Sequence, residues 1–142
     1  MIYKQKARED AFLVLYQWDI KGDPLEDLVE EVIKLRNITY SERRRYLRKL
    51  IRTYMQKAKD VDKAISESLI SWDFDRLGYI ERGILRAAFT ELLYVRPKNI
   101  KKVVEDYEDL ADKYAGDKAR KFVSGILKAL EGKLSTTQES DQ

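Results

Sequence analysis

Three observations predict an all-α fold. Apolar residues recur at steps of three and four along almost the whole chain, the spacing of one buried helical stripe. No segment shows the strict alternation of a half-buried strand. Only two prolines and six glycines punctuate 142 residues, which favours long helices. The expected architecture is a compact bundle of about seven helices, arranged as two packed helical subdomains. The helical domain is expected over residues 1–133, followed by a disordered polar tail over residues 134–142.

The first helix is expected over residues 6–20, with Ala7, Ala11, Val14, Leu15 and Trp18 on its buried stripe. Gly22-Asp23-Pro24 breaks it, with Asp23 as the next cap and Pro24 at the first helical position. A second helix over 25–36 buries Leu25, Leu28, Val29, Val32, Ile33 and Leu35. Ser41 is expected to cap a third, whose stripe runs from Leu47 to Leu69 as one long helix or two, breaking near Lys59-Asp60. The loop SWDFDRLG follows, pinned by Trp72 and Phe74. The helix over 79–95 is apolar on almost all sides and is expected to be the most buried. Helices over 99–114 and 118–131 complete the bundle, separated by the turn Ala115-Gly116-Asp117.

Composition excludes several chemistries. With no cysteine there is no disulfide, zinc-thiolate site or thiol catalysis. With no histidine the commonest general base and transition-metal ligand are also missing. No metal or cofactor is expected. Asp73 and Asp75, two apart in the SWDFDRLG loop, suggest a carboxylate pair or a magnesium site, but no other ligands surround them and a loop or capping role is the simpler reading. No apolar run approaches the ~20 residues of a membrane span, and the start MIYKQKARED has no signal-peptide core. A cytoplasmic, membrane-free protein is expected.

Two clusters combine cations with aromatic rings, the pairing that holds phosphates and unpaired bases. The first is the amino-terminal arm, where Lys4, Lys6 and Arg8 run into a helix carrying Phe12 and Tyr16. The second is KYAGDKARKF, which sets a glycine turn at a helix N-terminus beside Lys113, Lys118 and Lys121, with Tyr114 and Phe122. Both clusters also read as solvated helix ends whose aromatics belong to the core. Net charge is only +3, so any basic face must come from segregation. Residues 41–63 hold nine basic side chains against three acidic ones, and residues 105–112 hold five acids and no base.

Three blocks, KAREDAFLVLYQWD, LGYIERGILRAAFTELLY and KFVSGILKAL, resemble those of the NusB transcription antitermination factors, in order from Lys4 to Leu130. The resemblance implies a small, metal-free, all-helical protein that pairs with the ribosomal protein NusE. Together the two would bind single-stranded boxA RNA of ribosomal RNA leaders and act in the antitermination complex of RNA polymerase. It implies an RNA role for Lys4, Lys6, Arg8 and Tyr16, and for Lys113, Tyr114, Lys118, Lys121 and Phe122. Asp75, Arg76 and Glu81 would face NusE, an acid there suiting a basic partner.

The arm departs from the family's denser arginine run: it reads KQKAR, and lysine lacks arginine's planar fork. The position of Lys118 is acidic in some relatives. A similar domain precedes an RNA cytosine methyltransferase, but a chain of this length without cysteine is not expected to be an enzyme. The alternative is a helical protein-interaction scaffold or homodimer with no RNA specificity of its own. The adaptor requires the arm and the glycine turn to share a face; placed on opposite sides, they would favour the scaffold.

Overall fold

The computed structural model describes residues 1–70 and 73–140, the last five as backbone only. These residues form six α-helices and no strand. The order is α1 (Ile2–Lys21), α2 (Leu25–Leu35), α3 (Ser41–Ser68), a 3-10 turn (Phe74–Arg76), α4 (Tyr79–Thr90), α5 (Ile100–Ala115) and α6 (Asp117–Ser140). A π-helical turn, Glu91–Val95, extends α4. The count is one below seven because α3 is a single helix. It bends at Lys57, whose φ of −119° and ψ of 17° leave the helical region, two residues before the expected break.

α1 begins earlier than its periodicity suggests. Its first turn is held by Tyr3 against Tyr40, with ring centroids 5.8 Å apart, and by Lys4 over the Tyr46 ring at 5.3 Å. The basic arm is therefore helix. Gly22, with φ of 75°, closes α1 by donating its N–H to the Trp18 carbonyl at 2.8 Å. Glycine, with no Cβ, adopts that left-handed geometry without strain. Pro24 itself takes the N-cap of α2, one position before the expected register.

α1 packs on α2, α3, α4 and α5, while α4 packs on α1, α3, α5 and α6. These two helices make one continuous core from both halves of the chain. α4 bears out its apolar reading, since every residue from 83 to 92 is buried. Side chains such as Ile84, Leu85 and Phe89, fully enclosed, each contribute about 1.5–3 kcal/mol. Gly83 permits the close approach of α4 to α1: a Cβ there would lie 3.2 Å from the Phe12 ring. Charge crosses the same seam, because Arg86 sits between Asp19 and Asp62, each at 3.2 Å.

α5 and α6 form a hairpin around Gly116, the one residue between them. The Asn99 side chain caps α5 by accepting the Lys102 N–H at 3.1 Å. α6 runs past Gly132 to Ser140 rather than ending near residue 131. Leu130 and Leu134, one helical turn apart, both rest on the core, which offsets the ~1 kcal/mol cost of a mid-helix glycine. The Phe74 expectation holds, for its ring packs against the core; Trp72 lies outside the described residues.

Candidate nucleic-acid interface

Arg8 corrects the sequence reading first. It is 5% exposed and faces inward. Its Nε and Nη2 fork onto the Glu91 carboxylate at 2.8–3.0 Å, and its Nη1 donates to Asp106 at 2.7 Å. Glu91 is fully buried and also accepts the hydroxyls of Tyr46 at 2.6 Å and Tyr107 at 2.8 Å. Lys102 closes the cluster on Asp106 at 2.7 Å. Two cations thus meet two carboxylates, and the charges balance. Burial works against the Arg8 cation, but the hydrogen-bonded Glu91 carboxylate outweighs it and raises its pKa. Burial, reinforced by Glu91, pushes the Tyr107 hydroxyl well up, so it stays a donor. Arg8 is thus a structural tie, its donors taken by Glu91 and Asp106.

Of the remaining arm lysines, Lys4 lies over the Tyr46 ring and Lys6 meets the start of the glycine turn. Glu9 follows Arg8 on the outer side of α1. Its Oε2 accepts Lys113 Nζ at 2.7 Å and the Tyr114 hydroxyl at 2.8 Å. Lys6, Glu9 and Lys113 line one cleft of about 300 Å³ between α1 and α5. Burial pushes the Glu9 carboxyl up, but hydrogen bonds from Lys113 and Tyr114 prevail and hold it below the ordinary carboxylate value. The same bond raises Lys113, which stays cationic. Rings follow the charges. Tyr16 lies 6.0 Å from Phe12, and Phe12 lies 5.0 Å from Tyr114, centroid to centroid. Phe12 is buried; Tyr16 and Tyr114 are half-buried at either end of this row.

The other members of the second cluster go elsewhere. Lys118 and Phe122 line a hollow of about 310 Å³ with Leu77, Gly78, Glu81 and Ala119. Both therefore sit beside the residue expected to face a protein partner. Glu81 is half-buried, its carboxylate folded back over Gly78 at the start of α4. Asp75 and Arg76 are exposed on the 3-10 turn. Lys121 lines a different groove, between α5 and α6, and pairs with Asp117 at 3.1 Å. The structure thus divides the nine residues expected to act together into a buried tie at Arg8, a cleft with its row of rings, a hollow, and two outlying lysines, Lys4 and Lys121. Among the described residues, no group of three His, Cys, Asp or Glu side chains is placed to hold a metal. No described helix is long and apolar enough to cross a membrane.

Glu9, Asp10, Glu91 and Asp106 were not singled out in the sequence. Their signal was faint: Arg8 shares a helical stripe with Phe12, so a buried Phe12 draws Arg8 inward and requires buried acids to meet it.

The NusB family pattern matches residues 5–131. The transcription antitermination protein NusB of Aquifex aeolicus is 38% identical over 142 residues, spanning 100% of this chain and 96% of that protein. Its counterpart in Oceanobacillus iheyensis is 36% identical over 87% of this chain and 94% of its own length. Among solved structures, one of antitermination factors NusB and NusE in complex with dsRNA superposes with a TM-score of 0.87 at 40% identity, covering 91% of this chain and 96% of that one. The solution structure of Aquifex aeolicus NusB superposes at 0.81 with 40% identity, covering 97% and 93%. Pattern, sequence and fold agree over nearly the full length, and the chain belongs to the NusB family.

Proposed function

We propose that this chain is an RNA-binding antitermination adaptor that holds a boxA-like RNA on the α1–α5 face and docks a NusE-like ribosomal protein on the α4–α6 hollow. It acts without enzymatic chemistry, in the cytoplasm, within an antitermination complex of RNA polymerase. The observation that carries this reading is the bridge at Glu9. It draws Lys113 and Tyr114 onto the side of α1 that bears Lys6, so that one cation of the arm and the first residues of the turn share a face. Exposed lysines there supply phosphate attraction, and the half-buried Tyr16 and Tyr114 supply ring faces. Lys118 and Phe122 belong to the partner surface with Glu81, Asp75 and Arg76. A ring over an apolar floor, bordered by an acid, suits a basic protein partner.

The test is fluorescence anisotropy with a boxA-like single strand, its scrambled control and the corresponding duplex, across a salt series. The Lys4→Ala/Lys6→Ala variant should bind more weakly, its slope of log affinity against log salt falling by about 1.4 if both lysines neutralise a phosphate of a single strand. An unchanged slope removes the RNA role. On the other face, Glu81→Lys should weaken NusE binding several-fold at moderate salt while leaving RNA binding by the isolated protein unaltered. Equal NusE affinity for parent and variant would take Glu81 out of the interface.

A further inference from the structure

Another pair of cations borders the α1–α5 face. Lys6, Glu9, Arg36 and Arg43 line a cleft of about 370 Å³ that adjoins the one holding Lys113. Arg36 follows α2, and Arg43 stands in the first turn of α3. Asp10, 0% exposed, anchors both. It accepts Arg36 Nε at 2.8 Å, and Arg43 Nε and Nη2 at 2.7 and 2.9 Å. Arg36 Nη2 also donates to Glu9 at 3.1 Å.

The corner that carries Arg36 is itself fixed. Asn37 takes a left-handed φ of 53°, and Ile38 donates its N–H to the Ile33 carbonyl at 2.9 Å while burying its side chain. This is the geometry that locks a helix C-terminus. Both guanidinium groups are therefore held by one edge. The Nη1 of each makes no hydrogen bond to any described residue. Arg36 is an exposed residue, and the Nη1 of the half-buried Arg43 is not enclosed. Over the joined clefts, Lys6, Arg36, Arg43 and Lys113 meet Glu9, Asp106 and Asp109, with Asp10 buried beneath, while Asp106 and Asp109 are already paired by Arg8, Lys102 and Arg120.

We propose that Arg36 and Arg43 are phosphate-contacting residues that carry the RNA strand from Lys6 across the α2–α3 corner. The inference rests on the RNA reading above and extends its track. Arg8 turns inward, so the arm itself offers only lysines to phosphate. Arg36 and Arg43 present the planar, multi-donor group that lysine lacks, already oriented before the ligand arrives. The ligand class is the phosphodiester backbone, which would give affinity and register rather than base identity.

The experiment uses the full chain, a boxA-like RNA strand and the same salt series. The variants are Arg36→Gln alone and Arg43→Gln combined with Asp10→Asn, so that no lone carboxylate stays buried. Each should weaken binding at low salt and lower the salt slope by about 0.7, with the melting transition still cooperative. If the double variant fails to fold, Arg36→Gln decides the matter, since Arg43 still pairs Asp10 in it. A slope that falls for Lys4→Ala/Lys6→Ala but stays parental for Arg36→Gln makes the arginines internal ion pairs and overturns this inference alone. A slope unmoved by every variant overturns the RNA reading and this inference with it.

Discussion

Glu91 and Glu9 are both carboxylates that collect an arginine and tyrosine or lysine donors, yet they do opposite work. Glu91 is fully enclosed and satisfied by Arg8, Tyr46 and Tyr107. Glu9 keeps its side chain 13% exposed and gathers Lys113, Tyr114 and Arg36 at the rim of a cleft. Their sites on the two helices differ mainly in how much water reaches them. Where water is shut out, removing one partner strands a charge, so the cluster is tied to folding. Where water enters, the same pairs are weak and exchangeable, and their charges remain open to a ligand.

The sharpest way to break this contrast is at Arg8. Arg8→Met leaves Glu91 and Asp106 buried without their main cation and should destabilise the protein by about 3–5 kcal/mol. Denaturant melts would measure it. A loss below ~1 kcal/mol would mean that water reaches Glu91 after all and that the two clusters do not differ in kind.

The next largest effect concerns Glu9 and carries the opposite sign for ligand and fold. Glu9→Gln removes an anion from the proposed RNA face, so RNA should bind more tightly, by roughly two- to five-fold if the pair is worth ~0.5–1 kcal/mol. Folding stability should fall slightly. Because Glu9 has a folded pKa below its unfolded value, its contribution is present above the unfolded value of about 4.3 and is lost as pH falls through the lower folded value. The melting difference between parent and variant should therefore close as pH drops below about 4. A difference that persists at lower pH would assign it to packing instead.

The smallest expected effect is at Lys121. It pairs with Asp117 on the far groove, away from both the Glu9 cleft and the Glu81 hollow. Lys121→Ala should leave the RNA salt slope unchanged and shift stability by no more than ~0.5 kcal/mol. A measurable drop in slope would return Lys121 to the RNA track and show that the cleft is wider than Glu9 marks.

The helices were legible because periodicity is local. Ala7, Ala11, Val14 and Leu15 announce their buried stripe within nine residues, and the run around Phe89 announces the centre of the bundle. Three matches to the family's blocks supplied the partner and ligand classes. The polar ties were not legible, because they pair residues far apart. Arg8 meets Glu91 across 83 positions and Asp106 across 98, and Arg43 meets Asp10 across 33. An arginine in a basic run looks exposed until the fold shows what waits opposite it. The π turn at Glu91 was equally hidden, whereas the kink at Lys57 lies two residues from the break expected near Lys59-Asp60.

The separation between Arg8 and Glu91 also sets a clock. At roughly 5–20 residues per second of synthesis, an interval of 83 residues lasts about 4–17 s. Through that time the guanidinium of a newly made chain has no carboxylate to enter the core with, and its water shell keeps it outside. Arg8 therefore cannot reach its buried setting when α1 emerges. The contacts of α1 with α2 and α3 can form earlier, but the Arg8 tie must wait until α4 and the turn beyond it arrive. One ion pair thus ties α1 to a segment made 83 residues later.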